Sequence, residues 1–297
     1  MIRPAYLQKG DRIALISTAR KIDDDIFNSA RDIFSSWGLE LIAGENLYAS
    51  EDQFAGSDEL RLRDLQWALD DETINAVICA RGGYGTARII DGLSWHGFKK
   101  SPKWIVGYSD VSVLHGHLQS LGFESIHATM PVNFRENSKE SIESLKSSLF
   151  GEGLSYRFSS HAYNREGSAK GVLVGGNLSI LYSLNGSLSM PETKNCILFI
   201  EDLDEYLYHI DRMMLTLKRA GHFKELAGMV VGAMSDMNDN DIPFGKNALE
   251  IIRDQMKEFS FPICFDFPAG HINDNRTLIM GREISLIVGK ENCELRF

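Results

Sequence analysis

Ala76-Val77-Ile78-Cys79-Ala80 carries no polar side chain. A run this short is apolar throughout when both of its faces are covered, as for a parallel strand held between layers of helix. Arg12-Ile13-Ala14-Leu15-Ile16-Ser17, Leu39-Glu40-Leu41-Ile42-Ala43 and Trp104-Ile105-Val106-Gly107 also read as strands. Helical spacing fills the gaps between them. Ile26, Ala30, Ile33, Phe34 and Trp37 share one face, and Gly38 follows as a stop. Leu62, Leu65, Ala68 and Leu69 share another, after Ser57 as cap with Asp58 and Glu59 in the first turn. Parallel strands need crossovers longer than a hairpin. The alternation therefore predicts an open, mostly parallel α/β sheet over residues 1–135, with Ile126-His127-Ala128 as its fifth strand.

Residues 136–168 change character. They are rich in Ser, Glu, Asn and Lys, and they read as a linker containing one helix near residues 139–149. Apolar signals return from Gly171, and residues 169–297 read as a second, smaller α/β domain. Its expected strands are Val172-Leu173-Val174, Ile197-Leu198-Phe199-Ile200, Met229-Val230-Val231-Gly232, residues 263–267, and two that flank Gly289-Lys290-Glu291-Asn292. The net charge of −10 gives a nucleic-acid role no electrostatic support. No run approaches the ~18 apolar residues of a membrane span, and the N-terminus has no apolar signal region. The four cysteines, Cys79, Cys196, Cys264 and Cys293, are scattered, and three lie in apolar runs. They read as buried thiols of a cytoplasmic protein.

Gly107-Tyr108-Ser109-Asp110-Val111 places a serine where a strand stops and a helix starts. Such a serine can be a nucleophile on a tight elbow, with the Asp110 N–H facing an oxyanion, or simply a helix cap. The match to G-x-S-x-G is partial, because Val111 stands at the second glycine. A serine nucleophile needs a base and a group that orients the base. His271 follows a strand and the turn Pro268-Ala269-Gly270, while Glu201 and Asp202 follow the strand 197–200. Ligands gather at such strand ends in open α/β sheets. Spacing alone does not choose His271 over His127, or Glu201 over Asp202, Asp204 or Glu205. The loop Arg81-Gly82-Gly83-Tyr84-Gly85 is either a βα turn that needs positive φ or a set of exposed N–H groups for an anion. Neither G-x-G-x-x-G nor a P-loop occurs, and the first βα turn, Ser17-Thr18-Ala19-Arg20-Lys21, has no glycine, so no nucleotide cofactor is expected. His115 and His117 diverge on a helix, and residues 236–241 have the wrong spacing for a calcium loop, so no metal is expected either.

In order along nearly the whole chain, these pieces resemble the LD-carboxypeptidase family of serine peptidases, which includes muramoyl-tetrapeptide carboxypeptidases and microcin-immunity peptidases. The resemblance is carried by residues 7–14, Ala80-Arg81-Gly82-Gly83-Tyr84-Gly85, Gly107-Tyr108-Ser109-Asp110 and Gly175-Gly176-Asn177-Leu178. It continues in Ile200-Glu201-Asp202 with Glu205, Tyr208, Asp211 and Arg212, and in Pro268-Ala269-Gly270-His271. It implies a flavodoxin-like N-terminal domain that bears the nucleophile, a smaller C-terminal domain that bears acid and base, and an active site at their interface. It also implies a triad of Ser109, Glu201 and His271, an oxyanion hole from the backbone of Gly83 and Asp110, and a homodimer. The implied reaction releases the terminal D-alanine of a peptidoglycan-derived tetrapeptide, a muropeptide, in cell-wall recycling. Arg81, Tyr84 and Arg212 are candidates for touching that substrate. A microcin-type peptidase acting on a peptidyl-nucleotide amide is the alternative enzyme, and a muropeptide-binding protein without turnover is the alternative of another class. Thr18-Ala19 departs from the proline that many relatives carry after the first strand.

Overall fold

The fully apolar runs become the interior strands of a first sheet. The computed structural model describes all 297 residues and contains thirteen strands. They are β1 Arg12–Ile16, β2 Glu40–Ala43, β3 Ile74–Cys79, β4 Trp104–Gly107, β5 Ser125–His127, β6 Ser155–Ser159, β7 Gly167–Asn177, β8 Cys196–Leu203, β9 Gly228–Ser235, β10 Ile263–Cys264, β11 Leu278–Met280, β12 Glu283–Val288 and β13 Asn292–Arg296. The first sheet runs β2-β1-β3-β4-β5-β11, with the first five strands parallel. That 2-1-3-4-5 order is the doubly wound, flavodoxin-like one, and it places loops at the carboxyl ends of the strands where a site can form. β3 and β4 are covered on both faces, and Trp104, Ile105 and Val106 are wholly buried.

The second sheet runs β10-β9-β8-β7-β12-β13-β6. β7 to β10 are parallel, and β12, β13 and β6 add an antiparallel flank. One continuous core joins the two sheets, with Leu15 and Trp104 from the first and Phe199 and Leu286 from the second. All four cysteines are buried and unbridged. No helix is long and apolar enough to cross a membrane.

Two strands, β6 and β11, lie where the sequence pattern announces none, and the expected helix near 139–149 is present. Residues 136–168 hold the helix Lys139–Phe150 and the whole of β6, which pairs with β13. The helix buries Ser141, Ser144 and Ser148 beside Leu145 and Leu149. Ser144 donates to the Ser141 carbonyl and meets the Thr277 hydroxyl, and Ser148 donates to the Leu145 carbonyl. Serines satisfied in this way fill a buried face without an apolar stripe. β11 lies late in the chain, yet it closes the first sheet, antiparallel to β5. The strand expected over 263–267 forms ladder bonds only at Ile263 and Cys264.

Candidate active site

The chain leaves β4 at Gly107 and passes through extended Tyr108. It then turns at Ser109, which holds φ +63° before a 3-10 turn, Ser109–Val111, and the helix Ser112–Ser120. Left-handed backbone at a serine is uncommon and costs of order 1–3 kcal/mol, so it persists where the surroundings impose it. Ser109 makes no capping bond, and the helix after it has Val111 at its cap position, which removes the helix-cap reading. The missing second glycine has a steric explanation. A Cβ on Gly107 would stand 2.8 Å from Val111 Cγ2, so one glycine in the elbow makes the room that the valine fills.

The glycine-rich loop lies directly against this serine. A Cβ on Gly82 would be 3.0 Å from Ser109 Cβ and 3.1 Å from its Oγ. Gly83 holds φ +120°, and the N–H groups of Gly82 and Gly83 donate to no protein acceptor. The loop is tied to the elbow by the Asp110 carboxylate, which is buried and accepts the Thr86 N–H at 2.9 Å. Burial pushes the Asp110 carboxyl up, against the hydrogen bonds from Thr86 and Gly85.

The second sheet brings up the remaining groups. Glu201 lies in β8 where the register to β9 slips between Ile200 and Asp202. Such irregularities re-aim a side chain. Glu201 is wholly buried, and its Oε2 meets His271 Nδ1 at 2.7 Å, while its Oε1 has no partner. Burial alone would lower the His271 imidazole, but the charge and hydrogen bond of Glu201, with Asp202 behind it, hold it above 6.5. The ring also packs on Tyr108, the residue before the serine, with centroids 4.8 Å apart. Gly270 is required here. It holds φ +116°, and a Cβ on it would sit 2.7 Å from Glu201 Oε2.

The residues between which spacing does not choose have different surroundings. His127 is fully buried among Tyr108, His115 and Phe199, with both ring nitrogens unpartnered. Asp202 accepts from Asn177 Nδ2, the Ser179 N–H and the Leu203 N–H, each at 2.9 Å. Burial and the adjacent Glu201 push its carboxyl up to about 7. Asp204 accepts from Asn238, and Glu205 meets His209 at 2.6 Å. The two halves of the site are registered by Ser112 Oγ, which accepts the Asn177 N–H at 3.0 Å. Asn177 in turn pairs with Glu201 across the sheet.

Ser109 and His271 line one cavity of about 580 Å³, built from both sheets. Gly83 and Arg81 line it as well; Tyr84 and Arg212 do not. Tyr84 packs against Phe54, and the Arg212 guanidinium lies over its helical neighbour Tyr208. The sequence reading missed Arg20, which also lines the cavity. Its signal is the basic pair Arg20-Lys21 in the first βα turn. A depression of about 610 Å³ along the helix Asp58–Asp70 holds none of these groups.

The sequence pattern of the LD-carboxypeptidase N-terminal domain matches residues 13–128, and that of the C-terminal domain matches residues 170–286. The chain belongs to the LD-carboxypeptidase family. Among curated relatives, the "Probable murein peptide carboxypeptidase" of Bacillus subtilis is 30% identical over 96% of this chain and 91% of its own length. The murein tetrapeptide carboxypeptidase of Pseudomonas aeruginosa is 28% identical over 91% of each. The crystal structure of muramoyltetrapeptide carboxypeptidase from Oxalobacter formigenes superposes with a TM-score of 0.87 at 28% identity, covering 96% of this chain and 98% of that one. The microcin C7 self-immunity protein MccF, in complex with aspartyl sulfamoyl adenosine, also reaches a TM-score of 0.87, at 20% identity over 99% of this chain and 98% of its own, a likeness of fold. The two-domain LD-carboxypeptidase fold is thus shared by this chain and these two solved structures.

Proposed function

We propose that this chain is a serine-type LD-carboxypeptidase that releases the terminal D-alanine from peptidoglycan-derived tetrapeptides. The 2.7 Å contact of buried Glu201 with His271, in the cavity that also exposes the strained Ser109, carries the reading. The named activities of the murein relatives support its substrate class.

Ser109 Oγ attacks the carbonyl of the scissile amide as His271 Nε2 takes its proton. Glu201 holds the proton on Nδ1, which leaves Nε2 free as the base, and stabilises the imidazolium that forms. The oxyanion is received by the N–H groups of Asp110 and Gly83, and the unspent amide donors of the 82–83 loop suit that task. The imidazolium returns its proton to the leaving D-alanine nitrogen, and an acyl-enzyme on Ser109 remains. Water, deprotonated by the same imidazole, then hydrolyses the ester. The protein works as a homodimer in the cytoplasm.

Mass spectrometry of a purified tetrapeptide incubated with wild type and with Ser109→Ala tests this. Loss of one alanine residue with the wild type alone is expected. Turnover by Ser109→Ala would overturn the nucleophile. Hydrolysis of a peptidyl-nucleotide amide with none of the tetrapeptide would overturn the substrate class, and tight binding without turnover would make the protein a muropeptide binder.

A further inference from the structure

An exopeptidase of this kind must recognise a free carboxylate one residue beyond the bond it cuts. Only two guanidinium or ammonium groups line the cavity, Arg20 and Arg81. Arg81 leans on the Lys21 carbonyl at 3.4 Å. Arg20 has neither a hydrogen-bond acceptor nor a carboxylate partner in the protein, although the chain carries a net charge of −10. Its backbone is fixed by a bridge to Phe54 and by bonds from Ala55 N–H to the Ala19 carbonyl and from Lys21 N–H to the Gln53 carbonyl. Its side chain is laid along Gly83: a Cβ there would stand 2.7 Å from both Cγ and Cδ of Arg20 and 3.0 Å from Nε.

From these contacts we infer that Arg20 is the residue that binds the terminal carboxylate of the substrate and confines the enzyme to chain ends. The inference rests on the carboxypeptidase reading above. Gly82 lies against Ser109 and the adjacent Gly83 lies against the Arg20 side chain, so the serine and the arginine border one two-residue stretch of the loop and line the same cavity. The terminal carboxylate lies one residue beyond the scissile carbonyl, so its receptor has to stand near the serine in the same cavity. Asp204 and Glu205 also line the cavity, and their carboxylates disfavour a second carboxylate beside them, which leaves the two arginines to receive it. A planar guanidinium matches a carboxylate with two parallel N–H bonds, which lysine cannot copy.

The test compares a tetrapeptide ending in D-alanine with the same peptide carrying a terminal primary amide. Wild type, Arg20→Ala, Arg20→Lys and Arg81→Ala are assayed by release of the terminal residue. Wild type favours the free acid, and Arg20→Ala raises KM for it by about 10- to 100-fold, the worth of a charge-assisted hydrogen bond. The acid-to-amide ratio of kcat/KM then falls toward one. Arg20→Lys restores part of the preference, and Arg81→Ala keeps it. An undiminished preference in Arg20→Ala overturns the inference. Failure of the wild type to cleave either peptide would fall on the carboxypeptidase reading, so calorimetry with Ser109→Ala supplies a separate readout. Tighter binding of the acid than of the amide, abolished by adding Arg20→Ala, supports the role of Arg20; equal binding of both peptides refutes it.

Discussion

Replacing Glu201 by glutamine probes the proposed chemistry at its most buried point. The substitution keeps the shape, and its amide oxygen can still accept the His271 Nδ1–H where Oε2 now lies at 2.7 Å. What disappears is the negative charge. A hydrogen bond to a charged group is worth about 1.5–3 kcal/mol, and the lost control of the tautomer adds to that. Each 1.36 kcal/mol is tenfold in rate, so kcat should fall by about 10²- to 10⁴-fold. The pH profile gives a second, independent readout. In the wild type, kcat/KM rises with pH as His271 loses its proton, with a midpoint above 6.5, because Glu201 outweighs burial. Without the carboxylate, burial prevails and the midpoint should move below 6.5. Stability changes little by comparison: a buried charge is relieved at Oε1, which has no partner, while an amide donor without a partner takes its place at about 1–3 kcal/mol. The assay is D-alanine release across pH 5–9, with thermal unfolding as the control. A variant within about threefold of wild-type rate, or with an unmoved midpoint, would refute the role given to Glu201.

Gly270→Ala should cut activity at least about tenfold and destabilise the protein by roughly 2 kcal/mol, because its methyl lands 2.7 Å from Glu201 Oε2 on backbone at φ +116°; denaturant unfolding and the rate assay read both. His127→Phe should stabilise the protein by about 1 kcal/mol at neutral pH, since it replaces two unpartnered buried nitrogens with an apolar ring among Tyr108 and Phe199. The gain should grow as pH falls below 6.5, because folding holds His127 well below that value and the unfolded chain takes up its proton first. A loss of thermal stability would sink that account.

The parallel core of the first sheet was legible because β4 and residues 76–79 of β3 are covered on both faces and carry an unbroken apolar code. The elbow was half legible: Gly107 and Ser109 stood in place, but the valine in the second glycine position became intelligible only through its contact with Gly107. That Glu201 and His271 meet was out of reach of spacing, because it depends on which side chains face each other across β8 and the 268–272 loop. Arg20 was missed for a related reason. An arginine in an exposed turn carries no periodic signal, and its position against Gly83 is a long-range contact. The serine-lined helix was seen but not its burial, since satisfied hydroxyls do not register as hydrophobic.

β11 has a consequence for how such chains can diverge. Leu278, Ile279 and Met280 come after His271 in sequence but complete the sheet that carries Ser109. A recombination point within residues 136–168 would therefore separate the sheet that carries Ser109 from its own edge strand. The first half would be left with β5 bare, an invitation to pair with a foreign strand. A transplanted second half must therefore bring a β11 that fits the recipient's β5, whatever side chains it carries at the cavity.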